Sequence, residues 1–121
     1  MPVRMMTAHS RLEQSRNQVA VMRGPIVYCL ESSDLPTNLR VQDVAIPRDA
    51  TFAARFDQNL LAGVAVLEGK AEVADSKPWG EELYRPFKPR DAKEIDVKLI
   101  PYFAWANRGK SEMTVWLPLG R

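Results

Sequence analysis

The stretch EIDVKLI, residues 94–100, alternates charged and apolar side chains over most of its length. Because successive side chains of a β-strand point to opposite faces, this period is typical of a strand with one buried and one solvated face. Five further stretches show the same period, with apolar positions at Val19 and Val21; at Ile26, Tyr28 and Leu30; at Leu39 and Val41; at Phe52, Ala54 and Phe56; and at Met113, Val115 and Leu117. The pattern predicts half-buried antiparallel strands along the whole chain.

Turn signals separate these stretches at a spacing of roughly 8–12 residues, as in β-sandwiches. We therefore predict an all-β fold, an antiparallel β-sandwich of about seven or eight short strands, with a barrel as the alternative. Two short helical segments compete locally with this interpretation. Ser10–Glu13 matches a capping box but offers only Leu12 for burial, and Asp57–Ala62 could form one turn. Neither changes the fold class.

Length, composition and charge set the broad class of the protein. The chain has 121 residues, of which 45% are hydrophobic and 26% charged, so we treat residues 1–121 as a single globular domain. A net charge of +2 without a basic face argues against nucleic-acid and membrane-surface partners. The sequence shows neither a signal peptide nor an apolar run long enough to span a membrane. We expect a soluble chain and leave its cellular compartment unknown.

One cysteine and one histidine limit the chemistry that the chain could carry. A disulfide needs two cysteines, and a Cys/His zinc cluster or a His-based triad needs further partners for His9. Cys29 lies within the apolar run IVYCL, residues 26–30, without a neighbouring cation, so we predict a buried and inert thiol. From the residues alone we assign no catalytic, cofactor-binding or metal-binding residue, and we predict no cofactor.

The segment DSKPWGEELYRPFKPRD, residues 75–91, carries three prolines and is predicted to be a wrapping loop. Its aromatic Trp79 and Tyr84 flank the adjacent Glu81 and Glu82, a mixture that sugar sites use. Neighbouring side chains on an extended segment point in opposite directions, so these carboxylates do not form the facing pair that glycoside hydrolysis requires. We favour solvated loop charges, and the alternative is weak carbohydrate contact by Trp79, Tyr84 and Glu82.

Two stretches resemble signatures of a known family, RGPIVYCLE at residues 23–31 and IPYFAWANRGKSEMTVWL at residues 100–117. Their order and spacing, with LAGV at residues 61–64 between them, are similar to the C-terminal end of the beta-L-arabinofuranosidases of glycoside hydrolase family 127. The resemblance extends over nearly the whole chain. The chain departs from the family pattern at Phe103, where a second Tyr is common, and at Lys110–Ser111, which leaves the turn geometry open.

The resemblance implies a β-sandwich module that lacks the chemistry of the family. In family 127 the reaction resembles retaining hydrolysis of beta-L-arabinofuranosides. A cysteine nucleophile and a zinc held by Cys and Glu ligands lie in a helical barrel N-terminal to this region. Cys29 does not match the nucleophile motif, so no catalytic role carries over to it. We expect the isolated C-terminal module of a larger glycoside hydrolase, a non-catalytic accessory domain whose partner is the catalytic barrel. The alternative is a carbohydrate-binding module.

A further expectation concerns the aromatic residues that follow Pro101. On a regular strand Trp105, or else Phe103, faces the core and anchors it together with Tyr28 or Val27, although a bulge at Pro101 would change the parity.

A domain separated from its barrel is also expected to expose an apolar contact face and to form a homo-oligomer. The candidates for that face are the aromatics of residues 75–91 together with Val3, Met5 and Met6.

Overall fold

The computed structural model describes residues 2–9, 17–36, 39–60, 63–74, 81–84, 92–105 and 111–120. Within these residues the chain forms nine β-strands, three short 3-10 turns and no α-helix. The strands are β1 Val3–Met6, β2 Gln18–Arg23, β3 Ile26–Glu31, β4 Val44–Ala45, β5 Phe52–Asp57, β6 Val64–Ala74, β7 Ala92–Pro101, β8 Met113–Thr114 and β9 Leu117–Pro118. All pairings between these strands are antiparallel, which confirms the predicted all-β sandwich class.

The strands form one curled sheet in the order β1-β2-β3-β7-β6-β4. Three more strands join its path: β5 pairs with the first half of β6, β8 with the end of β3, and β9 with the start of β2. β2 and β3 form a hairpin with the two-residue loop Gly24–Pro25. Gly24 has a φ of 59°, the conformation that a type II′ turn requires at its first loop position and that glycine adopts without strain.

β7 makes the corner of the curl. Residues 92–99 pair with β6, whereas Ile100 and Pro101 pair with Cys29 and Tyr28 of β3. A strand that changes its partner in this way turns one layer of a sandwich into the other.

The main core collects alternate side chains from both layers. On β7, Val97 and Leu99 point into it and the charged Asp96 and Lys98 do not, as the alternation of residues 94–100 predicts. The buried members of the cluster are Val19, Val21, Tyr28, Leu30, Leu35, Val41, Val44, Ile46, Leu67, Ala71, Val97, Leu99 and Leu117.

A smaller outer cluster lies on the opposite face of β3, β6 and β7, because its members alternate with the main-core residues of the same strands. Loop residues cover this face. Its buried members are Cys29, Leu60, Val66, Ile100 and Ala104, with Val64, Met113 and Val115 partly buried around them.

The predicted strand at Leu39 and Val41 is wrong. Val41 is buried but starts a 3-10 turn, Val41–Asp43, and Leu39 lies outside any strand. The Asp43 side chain accepts a hydrogen bond from the Arg40 backbone N–H at 2.9 Å. Such a local side-chain bond competes with a strand ladder, so the alternation here buries Val41 without forming a strand.

The stretch from Met113 to Leu117 also differs from the single strand that its alternation predicts. Met113–Thr114 pairs with β3, whereas Leu117–Pro118 pairs with β2, so the curl of the sheet splits the stretch between two partners. The capping-box match at Ser10–Glu13 lies outside the described residues.

Candidate functional site

The sugar-contact candidates lie in the segment between β6 and β7, of which residues 81–84 are described. Tyr84 is 88% exposed, and Glu82 is also exposed. Trp79 lies outside the described residues. Two of the three candidate side chains are therefore on the surface, and their assignment to carbohydrate contact stays a prediction.

Cys29 is buried, as predicted. Its side chain is 1% exposed and packs in the outer cluster against Val66, Ile100 and Ala104. A reactive thiol needs access to its substrate, so this position suits packing rather than nucleophilic attack.

Within the described residues, no group of three or more His, Cys, Asp or Glu side chains could hold a metal ion. His9, the one histidine of the sequence, is exposed. The described residues also contain no helix that is long and apolar enough to cross a membrane.

Charged side chains occupy part of the outer face beside the outer cluster. The ammonium nitrogen of Lys98 lies 3.4 Å from Oδ1 of Asp34 and 3.5 Å from Oδ2 of Asp57. The backbone N–H of Asn59 donates to Asp57 and, together with Lys98, lowers the pKa of that carboxyl. Lys98 on β7 thus links Asp34, in the 3-10 turn after β3, to Asp57 at the end of β5. The two carboxylates share one ammonium group and do not form a facing acid pair across an open groove.

A second polar cluster fastens the chain before β8 to the end of β3. The buried carboxylate of Glu31 accepts a hydrogen bond from the Ser111 hydroxyl. The Ser32 hydroxyl accepts one from the Glu112 backbone N–H at 2.9 Å. Arg40 donates through Nε and Nη2 to the two oxygens of Glu112, which lowers the pKa of Glu112 and raises that of Arg40.

The prediction that Trp105 or Phe103 anchors the core is wrong. Both are exposed, whereas Tyr28, the proposed partner, is fully buried in the main core. β7 ends before Tyr102, and the chain enters a 3-10 turn in which the period of two no longer holds. The side chain that points inward there is the small Ala104, which joins the outer cluster.

Four exposed aromatic rings belong to one end of the sheet, which we name the aromatic end. Phe56 is 61% exposed, Tyr102 49%, Phe103 61% and Trp105 38%. The predicted buried face of Phe52, Ala54 and Phe56 is wrong for two of its three residues, because Ala54 and Phe56 are exposed and only Phe52 is partly buried. The sequence signal that could have indicated the aromatic end is Pro101, which ends the alternation of β7.

Strand register places these rings together. Phe56 of β5 lies opposite Ala65 of β6. The Tyr28 hydroxyl donates to the Ala65 carbonyl at 3.0 Å, and Tyr28 in turn lies opposite Pro101, the residue before the aromatic turn. Phe56 and the turn therefore lie at the same end of the sheet, beyond the last β6–β7 pair, Leu67 and Leu99.

The two candidate contact regions of the expected oligomer differ in exposure. Val3 and Met5 are only partly exposed and pack against the main core, whereas Met6 is 39% exposed. In residues 75–91 Tyr84 is exposed, and the other aromatics of that segment lie outside the described residues.

Comparisons with known proteins agree with the fold and the sequence resemblance. The profile described as "Glycoside hydrolase family 127 C-terminal domain" matches residues 3–118. The chain is 38% identical over 120 residues to the non-reducing end beta-L-arabinofuranosidase of Bifidobacterium longum subsp. longum, which covers 96% of this chain and 18% of that protein.

Two solved structures extend the likeness to three dimensions. A family 127 beta-L-arabinofuranosidase from Geobacillus stearothermophilus T6 has 42% identity and a TM-score of 0.87, covering 99% of this chain and 18% of that one. A structure described as a glycoside hydrolase has 46% identity and a TM-score of 0.89, covering all of this chain and 20% of that one. The chain thus spans about one fifth of the length of these relatives.

Proposed function

The chain belongs to the glycoside hydrolase family 127 C-terminal domains, and we propose that it is a non-catalytic β-sandwich domain that supports the catalytic part of a larger glycoside hydrolase. The length of the relatives carries this proposal. The matched region accounts for 18% of the Bifidobacterium arabinofuranosidase and 18% of the Geobacillus enzyme. Most of each relative lies outside the match and has room for a separate catalytic part.

The side chains of this domain support a non-catalytic role. A retaining glycosidase needs a nucleophile and an acid/base group that face each other across the scissile bond. Cys29, the one thiol of the sequence, packs in the outer cluster beneath loop residues. Asp57, Glu68 and Glu112 each form an ion pair with a basic side chain. These groups hold the domain together, and none of them faces a partner carboxylate across a groove within the described residues.

The supporting role is testable in the Geobacillus enzyme. Three proteins are compared: the intact enzyme, a form that lacks the region matched by this chain, and a graft in which this chain replaces that region. We expect the deletion to lower the thermal unfolding temperature and the soluble yield, and the graft to restore both. A deletion form that is as stable and active as the intact enzyme contradicts the proposal.

The absence of activity needs its own measurement. The chain on its own is incubated with an aryl beta-L-arabinofuranoside, with and without added zinc, beside its Cys29→Ser variant. We expect no turnover in any of these mixtures. Turnover by the unmodified chain that is lost in Cys29→Ser would show that this domain is an enzyme by itself.

Carbohydrate binding remains a second candidate function, because the Tyr84 ring is 88% exposed with Glu82 two positions away. An exposed aromatic ring beside a hydrogen-bonding carboxylate is a feature of sugar platforms. Binding of an arabino-oligosaccharide by calorimetry should then be lost in Tyr84→Ala and kept in Tyr102→Ala, a matched exposed tyrosine at the aromatic end. Equal binding by both variants, or none by the unmodified chain, contradicts this candidate.

A further inference from the structure

We propose that the aromatic end, formed by Phe56, Tyr102, Phe103 and Trp105, is the surface through which this domain docks on the remaining polypeptide of its parent protein. The inference rests on the proposed function and adds the location of the contact, which the family membership does not give. Its occupant is the catalytic part of the same chain.

The aromatic turn is held in a fixed conformation. Ala104 is fully buried in the outer cluster, and Pro101, one residue before the turn, is also buried. The Trp105 backbone N–H donates to the Tyr102 carbonyl at 3.3 Å and closes the turn. The exposed rings therefore sit on a backbone that is already ordered, which reduces the entropy lost when a partner binds.

The Phe56 ring is positioned by its contact with a glycine. Its ring covers Gly63, where a Cβ atom would overlap it, and Gly63 has a φ of 127° that L side chains rarely adopt. The absence of a Cβ atom at the glycine leaves room for the tip of the ring beside Gly63. Phe56 is thus exposed, yet one end of its ring packs against the residue before β6.

The size of the surface favours a covalently linked partner. With about 200 Å² for a complete aromatic side chain, the four rings expose about 400 Å² together. A stable complex of separate proteins buries about 800 Å² on each partner, whereas domains of one chain use interfaces of about 600–1,500 Å² in total. A linker supplies a high effective concentration, so a smaller contact suffices within one chain. The relatives are about five times as long as this chain, so in them the matched region is covalently linked to the rest of the polypeptide.

The position of the surface separates it from the other exposed apolar side chains. Leu83 and Tyr84 are exposed and belong to the segment between β6 and β7, whose adjoining strand ends, Ala74 and Ala92, are at the end of the sheet opposite the aromatic end. These two residues provide a control pair of similar apolar character in another segment of the chain.

The test uses the graft of this chain in the Geobacillus enzyme. One version carries Phe103→Ser with Trp105→Ser, and the control carries Leu83→Ser with Tyr84→Ser. We expect the unmodified and control grafts to unfold in one coupled transition, and the aromatic variant to show a separate transition for the grafted domain. Limited proteolysis at the junction should be at least tenfold faster in the aromatic variant. The same substitutions are measured in the chain alone, so that any loss of stability of the isolated domain is separated from the loss of coupling in the graft.

The outcomes distinguish this assignment from the proposed function. If the unmodified graft restores stability and the aromatic variant restores it equally well, the aromatic end is not the docking surface, and the supporting role stands. If the unmodified graft does not rescue the deletion, the supporting role fails and the assignment fails with it. If the unmodified graft sediments as a dimer that the aromatic variant dissociates, and both unfold in one coupled transition, the occupant is a second copy and the proposal is overturned.

Discussion

Tyr28 closes the corner of the curled sheet. Its ring is fully buried in the main core, and its hydroxyl donates to the Ala65 carbonyl at 3.0 Å. The β6–β7 ladder reaches only to Leu67 opposite Leu99, because β7 then turns to β3 and Pro101 pairs with Tyr28. The phenol hydroxyl therefore bridges β3 to β6 at the point where β7 has changed its partner.

The contribution of this contact can be divided by two substitutions. Tyr28→Phe removes only the hydroxyl and leaves a partly buried carbonyl without its donor, so we expect the free energy of unfolding to fall by about 1–2 kcal/mol. Tyr28→Ala also removes the ring from the core, which lowers the free energy of unfolding by about a further 3–5 kcal/mol. Since small domains are stable by about 5–15 kcal/mol, the second variant is expected to be close to unfolding.

Urea unfolding at equilibrium, followed by tryptophan fluorescence and far-UV circular dichroism, measures both effects. Tyr102→Phe is the matched control, because the Tyr102 ring is half exposed at the same end of the sheet. A Tyr28→Phe curve that overlays the parent curve would refute the role of the hydroxyl, and so would an equal shift in Tyr102→Phe. The β3–β6 bridge would then be a consequence of the corner rather than a cause of its stability.

Lys98→Met removes the ammonium group that two aspartates share, and we expect the free energy of unfolding to fall by about 1–3 kcal/mol in urea titrations, with an unchanged midpoint as the contrary result. The pKa of Asp57 is lowered in the folded chain, first by the Asn59 N–H, so its stabilising effect is present above its ordinary pKa of about 4 and is lost as the pH falls through the lower folded-state value. The parent should therefore exceed Asp57→Asn in stability at neutral pH and converge with it in acid, and a difference independent of pH would contradict this. In Gly69→Ala the new methyl group would lie 2.8 Å from the Thr51 carbonyl oxygen, so we expect a loss of about 1–3 kcal/mol in thermal unfolding, and a variant as stable as the parent would contradict the packing.

Much of the fold could be predicted from the sequence, because burial on one face of a strand leaves a periodic trace. Val97 and Leu99 face the main core as their alternation predicts, and Cys29 is buried in its apolar run. The prediction failed at Leu39, where alternation occurs without a strand. There a local hydrogen bond from the Arg40 backbone to Asp43 favours a turn, and a period of two cannot distinguish such a segment from a ladder.

The aromatic end could not be predicted from the alternation of apolar residues alone, because it depends on two facts that periodicity does not contain. The first is where β7 stops: one residue beyond Pro101 the backbone changes conformation, and Ala104 takes the inward position that parity assigned to Trp105. The second is the register of β5 on β6, which brings Phe56 to the same end of the sheet. Long-range register is set by the packing of the whole sandwich and by its turns.

The outer face of the sheet indicates which residues serve the fold of this domain and which are left for the proposed docking contact. Part of that face is charged and forms ion pairs of its own, as at Lys98, and the apolar part is covered by side chains of the same chain such as Leu60 and Met113. A face that was built to dock as a whole would leave its apolar half bare, at a cost of about 25 cal/mol for each Å² in contact with water. Among the described aromatic residues of the strands and of the turn after β7, those that are exposed lie at the aromatic end. Both clusters are formed by residues of this chain, so we expect the domain to fold without the parent and the proposed contact to add to its stability.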